Sequence, residues 1–183
     1  DCSSRGLGDV YKRQIRHIAG NRFSLGEPEG SESDRLKFIS EILKKAGFRA
    51  PIQKNIRDEI WLKLIGNLSF NPISALTGAT LEQICNDRGT EAIVKAMMTE
   101  AKMIAEELGA KINMSIEKRI DGARKVGAHK TSMLQDIEAG KPIEIDSIII
   151  AVKELGELTC SPTPYIDTIL NLTLQKAKLI GCL

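Results

Sequence analysis

The chain has 183 residues, of which 42% are hydrophobic and 27% are charged, and its formal net charge at pH 7 is +2. This composition is ordinary for a globular domain, and the length is sufficient for one well-buried core. The small net charge and the 4% content of aromatic residues do not favour a nucleic-acid-binding surface. No apolar run approaches the roughly 18 residues of a membrane span, so no membrane partner is expected.

The cysteines and histidines exclude several kinds of site. The chain has four cysteines: Cys2, Cys85, Cys160 and Cys182. They form no C-x-x-C pair, so neither a zinc site nor a disulfide framework is predicted, and no metal is expected. Reduced thiols are typical of a cytoplasmic protein, which is the expected location. His17 and His129 are the only histidines, which excludes a His-rich metal site and does not favour a Ser-His-Asp triad.

The first fourteen residues, "DCSSRGLGDVYKRQ", fit nothing downstream. They show no apolar periodicity and contain no initiating methionine. We expect residues 1–14 to be a non-native leader, of the kind that adapter sequence leaves at the ends of assembled reads, and exclude them from fold prediction. On this interpretation the native N-terminus of the protein is missing.

The next segment, up to residue 55, alternates strand patterns with one helix. Two strand-like runs, 15–19 and 23–26, are separated by a Gly-Asn turn signal, and "FRAPIQ" at 48–53 indicates a third strand. Between them a helix begins after the capping candidate Ser33 and ends near Gly47. Its apolar residues recur at helical spacing: Leu36, Ile39, Ile42 and Leu43. Because so few elements cannot bury a core alone, the segment is predicted to be the tail of a larger α/β domain.

Every periodic segment after residue 55 is helical, which predicts an all-α domain of about six helices and a mainly α chain. The predicted helices are 57–76, 89–110, 115–127, 132–139, 141–158 and 161–181, with a short segment at 80–86. Pro72 would kink or end the first of them. Three methionines of the second helix are expected to fill the core: Met97, Met98 and Met103. Pro142 is expected near the first turn of its helix, where proline is tolerated.

The helix predicted at 57–76 carries a polar stripe on an otherwise apolar surface. Lys63, Asn67 and Asn71 lie four residues apart, and at about 100° per residue they fall within roughly 80° of one another. A helix that is apolar on nearly every other side is expected in an interior, where polar groups need partners. The stripe is therefore predicted to be either a satisfied structural network or one side of a polar site.

A second group of polar residues lies in "HKTSMLQDIEAGKPIEID". Ser132 and Asp136 are four residues apart and share a helix face. Glu144 and Asp146 are expected to open the next helix after the turn at Gly140. By local chemistry alone, Ser132 is a helix-start residue, Asp136 is solvated, and Glu144 is a favourable first-turn charge.

These stretches together resemble a known family. "IWLKLIGNLSFNPISALTG", "TSMLQDIEAGKPIEID" and "PTPY" resemble the C-terminal domain of the ketopantoate reductases. "GNRFSLGEPEGSESDRLKFISEILKKAGFRAPIQKNIRDEIW" is similar to the end of the N-terminal domain of that family. The resemblance covers residues 15–183 in the family's order. It implies a remnant of a Rossmann-type domain at 15–55 and a helical substrate and dimerisation domain at 56–183.

The resemblance also implies a function and a set of site residues. The family reduces a 2-keto acid, ketopantoate, to pantoate by hydride transfer from NADPH, a step of pantothenate biosynthesis. Lys63 matches the family's general acid, and Glu144 matches the acidic residue that holds this lysine and approaches the nicotinamide end of the cofactor. Asn67 and Asn71 match side chains that hydrogen-bond the substrate's hydroxyl and oxo groups. Ser132 matches the hydroxyl that helps to bind the substrate carboxylate, whereas Asp136 is expected to support the helix start.

The chain departs from the family in the cofactor-binding part. The dinucleotide fingerprint G-x-G-x-x-G is absent, since Gly6 and Gly8 lie in the suspected leader and no second strand with an acidic partner follows them. The family also takes a lysine and an asparagine for substrate from its N-terminal domain, and neither is present. The chain is therefore expected to hold part of an active site and to be inactive by itself.

Two other functions stay open. One is the reduction of a different 2-keto acid, since related reductases share the architecture and the lysine, although Asn67 and Asn71 favour a hydroxylated substrate. The other is a non-catalytic helical interaction domain, in which the polar stripe forms a buried network or a dimer contact. Nucleic acid is not an expected partner, and the resemblance admits a homodimer.

Overall fold

The computed structural model of the protein describes the backbone of residues 10–11 and 14–15 and all of residues 20–183. Most of the expected leader, and the predicted strand at 15–19 apart from Ile15, therefore lie outside the described residues. The chain divides into two units, Asp1–Glu59 and Ile60–Leu183.

The described residues form two short strands, eight α-helices and one π-helical turn. The strands β1 (Val10–Tyr11) and β2 (Gln14–Ile15) pair antiparallel. The helical elements are α1 (Asp34–Lys45), α2 (Ile56–Thr77), α3 (Leu81–Asn86), α4 (Arg88–Glu107), α5 (Ile116–Val126), α6 (Ser132–Glu138), the π-helical turn (Asp146–Ile150), α7 (Ala151–Leu158) and α8 (Pro164–Ile180). The predicted mainly α fold is confirmed, and the short segment after Thr80 forms the additional helix α3.

In the first unit, two segments on either side of α1 pair in parallel. Isolated bridges join Arg22 to Arg49 and Leu25 to Ile52. The runs predicted at 23–26 and 48–53 thus pair with each other, but they do not form regular strands. The reason is Pro51, which has no N–H to donate at the middle of this ladder.

Helix α1 follows its predicted boundaries but not its predicted face. The Ser33 hydroxyl accepts a hydrogen bond from the Leu36 amide at 3.1 Å, which confirms Ser33 as the N-cap. Leu36 and Ser40 are buried, and the Ser40 hydroxyl donates to a backbone carbonyl of the third run. Ile39 and Ile42, one turn apart on an adjacent face, are instead 40% and 48% exposed.

Helix α4 lies at the centre of the core of the second unit. Six of its side chains have no exposed surface: Val94, Met97, Met98, Ala101, Ile104 and Ala105. It contacts α3, α5, α7 and α8. Met103, which was expected in the core, is 46% exposed. A step of two residues turns a helix by about 200°, so Met103 lies opposite the buried Ala101.

Helix α2 does not end at Pro72. It continues to Thr77, although proline removes one helical hydrogen bond. A side chain from α8 stabilises its last turn: the Lys176 ammonium donates to the Ala75 carbonyl at 2.6 Å and to the Leu76 carbonyl at 3.0 Å. A cation bound to the free carbonyls of a helix end is also favoured by the helix dipole.

The helix expected near Pro142 begins later than predicted. Residues 141–144 are not helical, and helical structure starts at Ile145 before the π-helical turn. The Ile143 amide donates to the Cys182 carbonyl at 3.0 Å, which joins this non-helical segment to the C-terminal end of the chain. Pro142 and Glu144 therefore precede the helix, and the interpretation of Glu144 as a first-turn charge is wrong.

A buried carboxylate of α4 caps the N-terminus of α8. Glu100, 8% exposed, accepts hydrogen bonds from the amides of Tyr165 and Ile166, both at 2.9 Å. Burial raises the pKa of the Glu100 carboxyl, the two amide hydrogen bonds oppose this rise, and the nearby Asp167 adds to it. Glu100 thus satisfies first-turn amides of α8 that its own N-cap residue, Thr163, does not.

We expect Glu100→Ala to lower the free energy of unfolding by about 1–3 kcal/mol, because one buried and one partly buried amide lose their acceptor. Glu100→Gln keeps an acceptor oxygen and should lose less. Urea unfolding of both variants measures the difference, with Glu107→Ala, at an exposed position of the same helix, as the control. Equal losses for Glu100→Ala and Glu107→Ala would contradict the capping role.

The stability that Glu100 contributes is also expected to depend on pH. The folded-state pKa of Glu100 is raised above its ordinary value of 4.5, so the folded chain binds this proton more tightly than the unfolded chain. The contribution of Glu100 to stability is therefore full below pH 4.5 and declines as the pH rises through the raised value. Between about pH 4 and pH 7, the unfolding free energy of Glu100→Gln should rise relative to wild type. Unfolding curves at several pH values test this, and a difference independent of pH would refute it.

Candidate functional site

The polar stripe of α2 passes from solvent into the interior. Lys63 is exposed, Asn67 is half-buried, and Asn71 is only 5% exposed. The three residues lie on successive turns of one continuous helix, so the predicted common face is present. The stripe thus combines an accessible ammonium group with an enclosed carboxamide.

The enclosed carboxamide has an unsatisfied donor. Among the described residues, no acceptor hydrogen-bonds the Nδ2 atom of Asn71. A buried N–H without a partner destabilises a fold by about 1–3 kcal/mol. A structural network satisfied within the described residues therefore does not account for this atom. It is a donor that a bound ligand could satisfy.

Ser132 lies at the start of α6 without acting as its cap. The cap is Thr131, whose hydroxyl accepts a hydrogen bond from the Leu134 amide at 3.4 Å. Ser132 is the first helical residue and is half-buried, and its hydroxyl makes no hydrogen bond within the described residues. The predicted helix start is correct, but the capping role belongs to the neighbouring residue, so the Ser132 hydroxyl remains available to a ligand.

Glu144 lies two residues before the π-helical turn. It is half-buried, and its neighbours Ile143 and Ile145 are buried. π-Helical turns are rare and occur frequently at functional sites. Asp146 begins this turn and is exposed, whereas Asp136 is half-buried in α6.

The predicted site residues are attached to a single hydrophobic core. Its members include residues next to all of them except Lys63: Leu68 and Phe70 beside the asparagines, Met133 beside Ser132, and Ile143 and Ile145 beside Glu144. The structure brings Lys63, Asn67 and Asn71 together on α2. It places Ser132 and Glu144 at the starts of two other helical elements whose adjacent side chains pack into the same core.

Sequence reasoning missed one cation next to the stripe. Arg119 of α5 lies against Gly66 of α2, so that a Cβ added at Gly66 would lie 2.1 Å from Nη2 and 2.7 Å from Cζ of Arg119. Burial lowers the pKa of the Arg119 guanidinium. Glycine inside a helix is destabilising by about 0.5–1 kcal/mol relative to alanine. Two features of the sequence could have indicated this contact. Gly66 lies within a predicted helix where no turn requires a glycine, and Arg119 lies close to the apolar Ile116 and Ile120.

The described residues give no sign of a metal site or of a membrane segment. Within them, no group of three or more His, Cys, Asp and Glu side chains could hold a metal ion. None of their helices combines the length and apolarity that a bilayer crossing requires.

Comparison with known proteins identifies relatives over most of the chain. Residues 55–177 match the family described as ketopantoate reductase PanE/ApbA C terminal. The 2-dehydropantoate 2-reductase of Mesorhizobium japonicum is 54% identical over 168 residues, which are 92% of this chain and 52% of that protein. A crystal structure assigned to a ketopantoate reductase of Ralstonia solanacearum is 42% identical, with a TM-score of 0.89 over 96% of this chain and 53% of that one.

An enzyme with a different name has a similar fold. D-mandelate dehydrogenase, in a complex with NADH and anilino(oxo)acetate, shares the fold at 20% identity, with a TM-score of 0.81 over 91% of this chain and 70% of that one. The chain spans about half the length of the curated relatives it matches, with 52% of the first and 50% of the second. Because the family match covers most of its length, the chain belongs to the ketopantoate reductase family and contains the C-terminal domain that defines it.

Proposed function

We propose that this chain supplies the substrate side of an NADPH-dependent 2-keto acid reductase that converts ketopantoate to pantoate in pantothenate biosynthesis. The observation that carries the proposal is the buried Nδ2 atom of Asn71, which has no acceptor among the described residues and lies on the same helix face as Lys63. The relatives named 2-dehydropantoate 2-reductase support the choice of substrate. A homodimer and a cytoplasmic location are part of the proposal, and the latter is compatible with the free thiols of Cys85, Cys160 and Cys182.

Carbonyl reduction requires a hydride at carbon and a proton at oxygen. When bound, NADPH supplies the hydride. The sequence contains no G-x-G-x-x-G turn, so the residues that would hold the pyrophosphate are not those of this chain. Glu144 is the residue proposed to face the nicotinamide end. The chemistry assigned to this chain is therefore substrate binding and proton transfer.

Each site residue has a chemical role in this proposal. The Lys63 ammonium donates a proton to the substrate oxygen as negative charge develops there. The carboxylate of Glu144 holds that ammonium in position. Asn67 and Asn71 donate hydrogen bonds to the hydroxyl and oxo groups, and the Ser132 hydroxyl donates to the carboxylate.

A second candidate is a reductase of another 2-keto acid. The observation that favours it is the fold shared with D-mandelate dehydrogenase. Turnover of ketopantoate and of a phenyl 2-keto acid, measured with both NADPH and NADH, distinguishes the two candidates. A preference for the phenyl substrate would replace ketopantoate in the proposal while leaving the role of Lys63 intact.

We expect Lys63→Ala, in the complete gene product that contains this chain, to lower kcat by roughly 10²- to 10⁴-fold, the usual effect of removing a general acid. The thermal midpoint should stay unchanged because Lys63 is exposed. Lys178→Ala removes a lysine at an exposed position of α8 and serves as the control. Full turnover in the Lys63 variant would refute its catalytic role.

Asn71→Leu separates a substrate site from a structural network. Leucine has a similar volume and no unpaired donor, so the variant should be as stable as wild type or more stable, while the KM for ketopantoate rises. Urea unfolding and steady-state kinetics measure the two effects. A loss of stability with an unchanged KM would favour the non-catalytic interaction domain instead.

A further inference from the structure

The contact between α2 and α5 at Gly66 is the feature that the proposed function leaves unexplained. Gly66 lies inside a regular helix and has no left-handed backbone, so its conformation does not require glycine. A side chain at this position would instead displace Arg119, because an added Cβ would come within 2.8 Å of Nε, Cζ and Nη2 of its guanidinium group. The plane of the guanidinium group thus occupies the space where a side chain at position 66 would be.

Within the described part of the chain, the guanidinium group of Arg119 has no anionic partner. Arg119 is half-buried, and no carboxylate of the described residues forms an ion pair with it. The neighbouring Arg124, by contrast, is paired with both Glu91 and Asp121. A partly desolvated charge normally requires a counter-charge or a set of hydrogen bonds. Arg119 therefore presents donors that are free to bind an oxyanion.

The position of this cation relates it to the polar stripe. Gly66 follows Lys63 by three residues, which places the two about 60° apart on adjacent turns of α2. Gly66 also immediately precedes Asn67. The Arg119 guanidinium is thus held against α2 at the border of the stripe, within one helical turn of Lys63.

We propose that Arg119 binds the carboxylate of the 2-keto acid, and that Gly66 is glycine in order to seat it there. This inference rests on the proposed function. Of the residues of this chain that are assigned to the substrate, Ser132 is neutral, Glu144 is negative, and the charge of Lys63 serves the keto oxygen. Arg119 supplies the positive charge that a carboxylate needs, and its planar fork of N–H groups matches the geometry of two carboxylate oxygens.

The test is steady-state kinetics of the complete gene product, with ketopantoate and NADPH varied separately. Arg119→Leu should raise the KM for ketopantoate roughly 10- to 100-fold, the usual effect of losing a charged hydrogen bond, with kcat within about threefold of wild type. Arg119→Lys should recover part of the loss, since it keeps the charge without the fork. Lys118→Leu, at the adjacent exposed position, is the control.

A double-mutant cycle tests the role of Gly66. Gly66→Ala should raise the KM for ketopantoate by displacing the guanidinium, and it should add little in the Arg119→Leu background, because both changes remove one interaction. A purely structural contact would change the thermal midpoint and leave this KM unchanged, and that result would overturn the inference. A rise confined to the KM for NADPH would also overturn it, by assigning the guanidinium to a cofactor phosphate.

Failure of the proposed function would be recognised separately. If the wild-type protein reduces neither ketopantoate nor the phenyl 2-keto acid, the proposed function fails. Calorimetric titration of ketopantoate into wild type and Arg119→Leu then decides the inference by itself. Weaker binding by the variant supports a carboxylate-binding arginine, and equal binding, or no binding to either protein, overturns it.

Discussion

The second unit depends on the burial of one face of α4. Val94, Met97, Met98 and Ile104 are fully enclosed, and each such side chain contributes about 1.5–3 kcal/mol relative to its exposed state. The helices in contact with α4 derive their positions from this burial. Glu100 lies among these apolar residues and gives the arrangement its specificity, because its carboxylate fixes where α8 begins.

Helix α2 joins this core while carrying polar side chains, and the two requirements conflict. Most of its second half is buried, and Asn71 is enclosed with a donor that no described residue accepts from. Such a group lowers the stability of the fold unless a ligand satisfies it. Proteins that recognise a polar substrate are commonly less stable than they could be, because the donor that binds the substrate has to be preorganised before the substrate arrives.

Several departures from local sequence rules lie on or beside the elements that carry the site. Helix α2 contains a glycine at position 66 and a proline at position 72, and a π-helical turn follows Glu144 and Ile145. Arg119 adds a charge without an ion-pair partner in the described part of the chain. Local rules are broken most often at functional sites, where the compensating gain comes from a ligand and not from the fold. Gly66 and Arg119 lie at the border of the polar stripe, whereas Pro72, nine residues after Lys63, lies on the opposite face of α2.

The sequence alone determined the features that depend on local physics. Apolar periodicity predicted the helices and the fold class, Ser33 predicted a cap, and four-residue spacing put Lys63, Asn67 and Asn71 on one face, since these follow from backbone geometry within a few residues. Only the tertiary structure decided what depends on partners distant along the chain. It began the helix after Pro142 only at Ile145, and among the described residues it left the Nδ2 atom of Asn71 without an acceptor. It also set Arg119 against Gly66, because burial and pairing are properties of contacts that no single segment encodes.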